Sequence, residues 1–317
     1  MDGQTMVEIE QAVLCIYNQA LDRNTRQNAN LYLDQVKQAD HSWRFVCQLF
    51  INTPHDEVKF WCLQVLLEVV KHRYAQLSPD DTVQFREFLV TWLVEHNPAC
   101  PRPAVPFVLN KMAQLYAIVV GNEYPEPWDG AITVLLASLH RGPALVDTFL
   151  RILDALDDEV ISLEFHRTTE SGAVSMRVKD GLRAQCLPAV VDAWAAILNG
   201  YSGPEGRLAK ACLSTMARYI PWIDIALVLK ESFVVGLYGF LQRADLAEEA
   251  AVCLAEMATK RMDARPKVGL LSGLVNAELL SANVRMREEQ GPAGALVKLA
   301  ELVTAICREL LACTEKL

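Results

Sequence analysis

Apolar residues recur at helical spacing along almost the whole chain, in consecutive segments that are each about one helix long. The two clearest stripes are Phe60, Leu63, Leu67, Val70 and Tyr74, and later Leu296, Leu299, Val303, Ile306, Leu310 and Cys313. No strand-like segment separates these helices, so each one must bury its apolar face against other helices. The pattern therefore predicts an all-α fold of stacked antiparallel helix pairs, a class of protein that binds partners through extended surfaces.

Turn and cap signals divide the chain into about fourteen helices, or seven pairs. We expect the second helix of each pair to begin near Asn24, Asp56, Pro103, Gly142, Pro204, Asp245 and Gln290. These positions are about 44 residues apart on average, which is the period of a HEAT repeat. The predicted fold is a HEAT-repeat α-solenoid, a superhelical array of antiparallel helix pairs.

The segment from Leu163 to Arg177 interrupts the apolar period with many polar residues and a glycine. We predict a long loop insertion near residues 163–177. A loop of that length in a compact array is either functional or a plain mobile connector.

Composition narrows the classes of function. The net charge of −9 argues against a protein that coats nucleic acid non-specifically, because such binding depends on neutralising phosphates. The chain has no uncharged apolar run of about eighteen residues and no secretory signal, so no membrane insertion is predicted. The nine cysteines show no metal-ligand spacing, and we expect them to be reduced core residues of a cytosolic or nuclear protein.

No catalytic motif is present. The sequence contains no phosphate-binding glycine loop, no Gly-x-Ser-x-Gly and no His-Glu-x-x-His. The six histidines lie mostly at expected helix ends or loops, and the acidic run Asp157 to Glu159 is interpreted as a helix end. We therefore expect no enzyme, no catalytic residue and no metal site.

Two helices combine a broad apolar surface with a narrow polar strip. On the helix from Asp56 to Tyr74 this strip includes Gln64, Glu68 and Lys71, and on the helix from Pro106 to Val120 it consists of Asn110, Lys111 and Gln114. A solenoid helix that faces a binding groove has this pattern, although an ordinary solvated face has it too.

The order of several motifs resembles that of the importin-beta superfamily of nuclear transport receptors. The amino-terminal motifs are Val58 to Leu66, Arg86, Asn110 to Gln114, Tyr124-Pro125 and Trp128. Later motifs are similar to those of the exportin-T family of transfer-RNA exporters, namely Val178 to Asp180, Leu182-Arg183, Gln185 to Pro188, Trp194 and Tyr219 to Asp224. We expect this resemblance to fade after Asp263.

The resemblance implies a receptor that binds Ran in its GTP form together with transfer RNA in the nucleus, passes nuclear pore proteins and releases both ligands in the cytoplasm. Ran itself binds and hydrolyses the GTP, so no cofactor is expected. In this family the amino-terminal repeats hold Ran through their inner helices, which implies Ran-binding roles for Gln64, Glu68, Lys71, Asn110, Lys111 and Gln114. A karyopherin for a protein cargo and a Ran-independent HEAT scaffold remain alternatives.

For transfer RNA, phosphate contacts from dispersed basic residues are expected. Lys59 and Arg73 are candidates because they lie nearly on one face of the same predicted helix, although ordinary solvated surface charge is the simpler interpretation. By domain, we expect Ran-binding importin-beta-like repeats over 1–130 and exportin-type repeats over 131–317. Members of this family are much longer, so the carboxy-terminal repeats are expected to be absent.

Overall fold

The computed structural model describes residues 3–39, 42–100, 104–162, 168–203, 206–275 and 293–317. Every regular element in these ranges is helical and none is a β-strand, which confirms the predicted all-α class. The chain divides into two compact units, Met1–Asp180 and Gly181–Leu317. This division concerns packing and leaves the expected boundary at residue 130, between two kinds of repeat, a prediction.

The first unit contains the helices α1 (Gly3–Tyr17), α2 (Arg23–Gln38), α3 (Ser42–Asn52), α4 (Asp56–His72), α5 (Pro79–Thr91), α6 (Asn97–Ala99), α7 (Pro106–Glu123), α8 (Thr133–Ser138), α9 (Pro143–Leu156) and most of α10 (Thr169–Gln185). Wide π-helical turns follow α5 at Trp92–His96 and α9 at Asp157–Ile161. Helix α4 lies between α1 and α7, and α7 packs in turn against α9. These helices form a layer that carries the polar strips.

Helix α4 is buried over most of its circumference, as predicted. Leu63, Leu67 and Val70 of the predicted stripe are buried, and so are Val58, Cys62 and Val65 on other sides of the helix. Each fully buried aliphatic side chain contributes about 1.5–3 kcal/mol, so packing holds this helix in place. Phe60 differs from the expectation because it is only half-buried.

Local signals place the ends of the helices. Asp22 precedes α2, and its Oδ1 accepts a hydrogen bond from the Thr25 backbone N–H at 2.9 Å. Ser78 and Asp81 form a reciprocal capping box at the start of α5. Gly142 precedes α9 with φ at 132°, a left-handed conformation that favours glycine. The expected start sites near Pro103, Pro204 and Gln290 lie outside the described residues.

The predicted loop over 163–177 is wrong for its second half, since α10 begins at Thr169. Residues 163–167 lie outside the described part of the chain. The polar side chains of α10's first turns are mostly exposed, so they interrupt no buried face. Among these side chains the Ser175 hydroxyl is deeply buried, and it donates to the Ile161 carbonyl at 2.9 Å. Because the hydroxyl is hydrogen-bonded, its burial costs little free energy.

The second unit contains the rest of α10 and the helices α11 (Leu187–Tyr201), α12 (Arg207–Tyr219), α13 (Glu231–Leu241), α14 (Ala247–Thr259), α15 (Ala264–Leu274) and α16 (Ala293–Thr314). Helix α14 packs against α12 and against α16. The buried stripe of α16 is Ala295, Leu299, Leu302, Ile306 and Cys313. The predicted stripe is thus only partly correct, since Leu296, Val303 and Leu310 are half-buried at its margin.

Most cysteines are core residues, as expected. All nine are free thiols, and six of them are buried. Cys100 and Cys307 are exposed and Cys15 is intermediate, so the core interpretation is wrong for these three. Among the described residues, no cluster of side chains could hold a metal ion. No helix in the same residues is long and apolar enough to cross a membrane.

Candidate interaction surface

The polar strip of α4 reaches solvent. Gln64, Glu68 and Lys71 are exposed, while the residues between them are buried. Gln64 and Glu68 make no side-chain hydrogen bond or ion pair with the described residues. Their polar groups therefore point into water from a helix that is otherwise fixed by packing, which makes them available to a partner.

The strip of α7 is more closely held. Asn110 is exposed, whereas Lys111 and Gln114 are half-buried. Lys111 donates from Nζ to Gln114 Oε1 at 2.9 Å. Gln114 donates in turn from Nε2 to Oε1 of Glu159 at 2.6 Å. Lys111 and Gln114 are thus connected to an acidic residue of the π-helical turn that follows α9.

Glu159 joins the two strips. Its other oxygen, Oε2, lies 3.9 Å from Lys71 Nζ, so one carboxylate contacts side chains of both α4 and α7. On the other side, Arg151 of α9 donates to Asn110 Oδ1 and from Nε to Asp147 Oδ2 at 2.7 Å. We call these neighbouring side chains the Glu159 cluster; it consists of the connected residues Lys71, Glu159, Gln114 and Lys111 together with a separate pair, Asn110 and Arg151.

The Glu159 cluster presents preorganised hydrogen-bond donors. Lys71, Lys111 and Arg151 supply cationic donors. Glu159 restrains Lys71 and Gln114 through its two carboxylate oxygens, but it does not occupy every N–H group of these cationic side chains. A surface of this kind suits a partner that offers carboxylates or backbone carbonyls, and its fixed geometry lowers the entropic cost of binding. No redox or covalent chemistry is implied by these groups.

Glu159 and Arg151 were not among the sequence candidates. By itself the acidic run Asp157 to Glu159 indicates only a helix end. In the structure Glu159 accepts a hydrogen bond from Gln114, which lies 45 residues earlier in the chain. Asn110 and Arg151 are 41 residues apart. Both separations are close to one HEAT period, so the repeat offset is the signal that could have paired them.

The two RNA candidates do not lie on the polar strips. Lys59 is half-buried and lies across the circumference of α4 from Glu68, beside a pocket that Trp92, His96 and Asn97 line. Helix α4 ends at His72, so Arg73 is not part of the helix as expected but its C-cap residue. Its Nη2 donates to the Lys37 carbonyl at 3.0 Å. This contact accounts for Arg73 structurally and leaves its RNA role an untested prediction.

The amino-terminal motif residues build the frame beside these strips. Arg86 pairs through Nε with Glu123 Oε2 at 3.2 Å and donates from Nη1 to the Pro127 carbonyl at 3.1 Å. The Trp128 ring lies 5.0 Å from that of Tyr116. These contacts hold the end of α7 against α5 and against the turn that follows α7, so the motif residues stabilise the packing of these elements.

The later motif forms a comparable frame in the second unit. Arg183 lies over the Trp222 ring, with its guanidinium carbon 5.4 Å from the ring centroid. Lys260 donates from Nζ to the carbonyls of Ile220 at 2.8 Å and Pro221 at 3.1 Å. Burial lowers the pKa of the Lys260 ammonium, an effect that Asp224 opposes. The motif residues thus close the turn after α12.

Comparison with known proteins assigns the class. Residues 29–95 match the family model of the importin-beta N-terminal domain, and residues 105–254 match that of exportin 1-like proteins. The structure described as "The exportin Cse1 in its cargo-free, cytoplasmic state" superposes with a TM-score of 0.60, covering 94% of this chain and 34% of that one. At 12% identity this likeness concerns the fold, which is the helical solenoid of an exportin.

The relatives are more specific. Exportin-T from Arabidopsis thaliana and from Homo sapiens are each 31% identical over 98% and 97% of this chain, and that from rice (Oryza sativa subsp. japonica) is 35% identical over 84%. The chain belongs to the exportin-T family. It spans about a third of the length of the first two relatives, which it covers to 32%. The expected fading of the resemblance after Asp263 is wrong, because these matches take in nearly the whole chain.

Family membership also agrees with the absence of catalytic motifs. Exportin-T and Cse1 are transport receptors and not enzymes.

Proposed function

We propose that this chain is part of a nuclear export receptor for transfer RNA that binds Ran in its GTP form. The observation that carries the proposal is the exportin-T similarity over 97% or more of the chain. The importin-beta N-terminal match at residues 29–95 includes α4, whose exposed strip supplies half of the proposed Ran contacts.

In this proposal Gln64, Glu68 and Lys71 contact Ran from α4, while Asn110, Lys111 and Gln114 contact it from α7. Glu159 positions Lys71 and Gln114, since its carboxylate contacts both side chains. GTP stays bound to Ran, so the receptor itself needs no cofactor. Transfer RNA is held through phosphates, with Lys59 and Arg73 as candidate contacts, and the loaded receptor shuttles between nucleus and cytoplasm past nuclear pore proteins.

The first experiment measures binding of the chain to Ran locked in its GTP form. Lys71→Glu places a second carboxylate beside Glu159, and we expect it to weaken Ran binding at least about tenfold, which corresponds to 1.4 kcal/mol. Lys316→Glu is the matched control, because Lys316 is exposed and lies on the second unit. Equal binding by both variants would exclude α4 from the Ran contact.

The second experiment adds transfer RNA. Two ligands that bind one receptor cooperatively must strengthen each other by the same factor, so transfer RNA should raise Ran affinity and Ran should raise transfer-RNA affinity. Ran binding without this mutual enhancement, in the chain and in a full-length family member, would favour a carrier of protein cargo. No Ran binding in either would favour a Ran-independent scaffold.

A further inference from the structure

An aromatic pair that reaches solvent lies at the amino-terminal end of the two polar strips. The rings of Phe60 on α4 and Phe107 on α7 meet edge to face, with their centroids 5.6 Å apart. Phe60 is half-buried, whereas Phe107 is 46% exposed and is the only exposed phenylalanine in the part of the chain that the structure describes. Helix α4 packs against α1 and helix α7 against α9, so the neighbouring repeats on both sides are present and still leave this pair open.

The aromatic pair is continuous with the proposed contact surface. Gln64 follows Phe60 on α4 by four residues, and Lys111 follows Phe107 on α7 by four residues. Residues four apart lie on one side of a helix, so each ring shares a face with the polar strip of its own helix. The surface therefore has an apolar end, about one helical turn from the first polar residues of the strips.

Arg151 of α9 brings an oriented cation to this apolar end. Its Nε and Nη2 donate to the two carboxylate oxygens of Asp147, at 2.7 and 3.4 Å, and its Nη1 donates to Asn110, which follows Phe107 by three residues. These bonds use three of the five guanidinium N–H groups, and no other bond among the described residues uses the remaining two. Asp147 and Asn110 thus hold the guanidinium in one orientation and leave it donors for a partner.

We propose that Phe107, Phe60 and Arg151 form the anchor of the contact with Ran, an inference that rests on the proposed function. The partner segment that fits presents an apolar side chain to the two rings and, about 5 Å away, a carboxylate to Arg151. Aromatic and arginine side chains carry much of the binding energy in many interfaces, and this guanidinium is already oriented, so little side-chain entropy is lost.

The combination of groups favours a protein partner over the backbone of RNA. A phosphate would bind Arg151 but offers nothing apolar to the rings of Phe60 and Phe107. A protein surface offers both a carboxylate and an apolar side chain. Lys71 and Lys111 then add electrostatic attraction around the anchor.

Truncation of Phe107 tests the apolar part of the anchor. Phe107→Ala should weaken binding of Ran locked in its GTP form at least about tenfold, whereas Phe107→Leu, which keeps most of the apolar surface, should stay within about threefold of wild type. Val83→Ala is the control, because Val83 is 40% exposed but lies on α5, which carries neither strip. The loss from F107A should be nearly equal at about 0.05 M and 0.5 M salt, whereas the loss from K71E should shrink as salt screens it.

Photocrosslinking identifies the partner without removing a side chain, so it stands even where F107A loses stability. The photoreactive residue p-benzoylphenylalanine at position 107 should crosslink to Ran, and at position 83 it should not. Crosslinking of position 107 to transfer RNA instead, or unchanged Ran binding by F107A while K71E weakens it, would overturn the anchor and leave the proposed function intact. Absence of Ran binding by the wild-type chain and by a full-length family member would overturn the proposed function and this inference with it.

Discussion

At the scale of single residues, long cationic side chains close the connections between helices. Arg73 bonds to the Lys37 carbonyl, Arg86 to the Pro127 carbonyl and Lys260 to the carbonyls after α12. A buried acceptor left without a donor costs about 1–3 kcal/mol, so the part-buried bonds of Arg73 and Lys260 prevent a sizeable loss, whereas the exposed bond of Arg86 contributes less. Part of the basic content of the chain is therefore structural and is not free for phosphate contacts.

Asp81 offers a test at this scale. It is 4% exposed, caps α5 with Ser78 and pairs with Arg44. The Arg44 guanidinium, followed by the Ser78 hydroxyl, holds the pKa of the Asp81 carboxyl below its ordinary value. We expect Asp81→Ala to lower the free energy of unfolding by about 1–2 kcal/mol, as measured by urea denaturation at neutral pH.

Asp80 provides the control for that change and pH provides a second readout. Asp80 lies in the same first turn but is exposed, so Asp80→Ala should cost less than Asp81→Ala. Because the folded-state pKa of Asp81 is depressed, its stabilisation is complete above the unfolded-state pKa and is lost as pH falls through the folded-state value. The difference between wild type and D81A should therefore shrink below about pH 4. A difference that grows in acid would contradict this account.

At the scale of elements, a close approach between α7 and the π-helical turn Asp157–Ile161 positions Glu159. A Cβ added at Gly121 would lie 3.0 Å from Val160 Cγ2, so glycine permits this contact. The neighbouring Glu159 can then reach both Lys71 and Gln114. The position of Glu159 on the interaction surface thus depends on the close approach of Gly121 to Val160, which lies beneath that surface.

Gly121→Leu should disturb this contact. The larger side chain displaces Val160 and the turn with it, and overpacking of this kind costs about 1–3 kcal/mol. We expect a lower melting temperature in calorimetry and weaker Ran binding, since Glu159 moves away from its partners. Gly269→Leu is the control, because nothing lies within 4 Å of a Cβ at Gly269 on the exposed side of α15. Similar melting temperatures for the two variants would show that the turn gives way without loss.

At the scale of the whole molecule, many side-chain hydrogen bonds join residues about one repeat apart. Arg86 to Pro127 spans 41 residues, Gln114 to Glu159 spans 45, and Lys260 to Ile220 spans 40. These bonds join neighbouring repeats within each unit. This is expected for a repeat protein, in which much of the stability arises at the interfaces between neighbouring repeats.

Thiol reactivity reports on this packing along the chain. Cys100 and Cys307 are exposed, whereas burial raises the pKa of the Cys47, Cys62 and Cys253 thiols. Only a thiolate reacts readily, so a maleimide should label the two exposed cysteines rapidly in the folded protein. Mass spectrometry after brief labelling should show the six buried cysteines modified only in guanidinium. Rapid native labelling of Cys47 or Cys62 would contradict the packing described for α3 and α4.

The sequence alone determined the helical class, several helix starts and the polar strips of α4 and α7, because these depend on local periodicity and capping. Glu159 and Arg151 could not be assigned in this way, since their partners lie a repeat away and only the packed helices bring them together. The loop predicted over the first part of α10 is wrong for a related reason. The first turns of a helix that are exposed need no apolar stripe, so periodicity does not reveal them. The hydrogen bond from Ser175 to the Ile161 carbonyl, which satisfies the one buried hydroxyl there, forms only in the folded chain. Local patterns fix which elements form, whereas long-range packing decides which side chains meet.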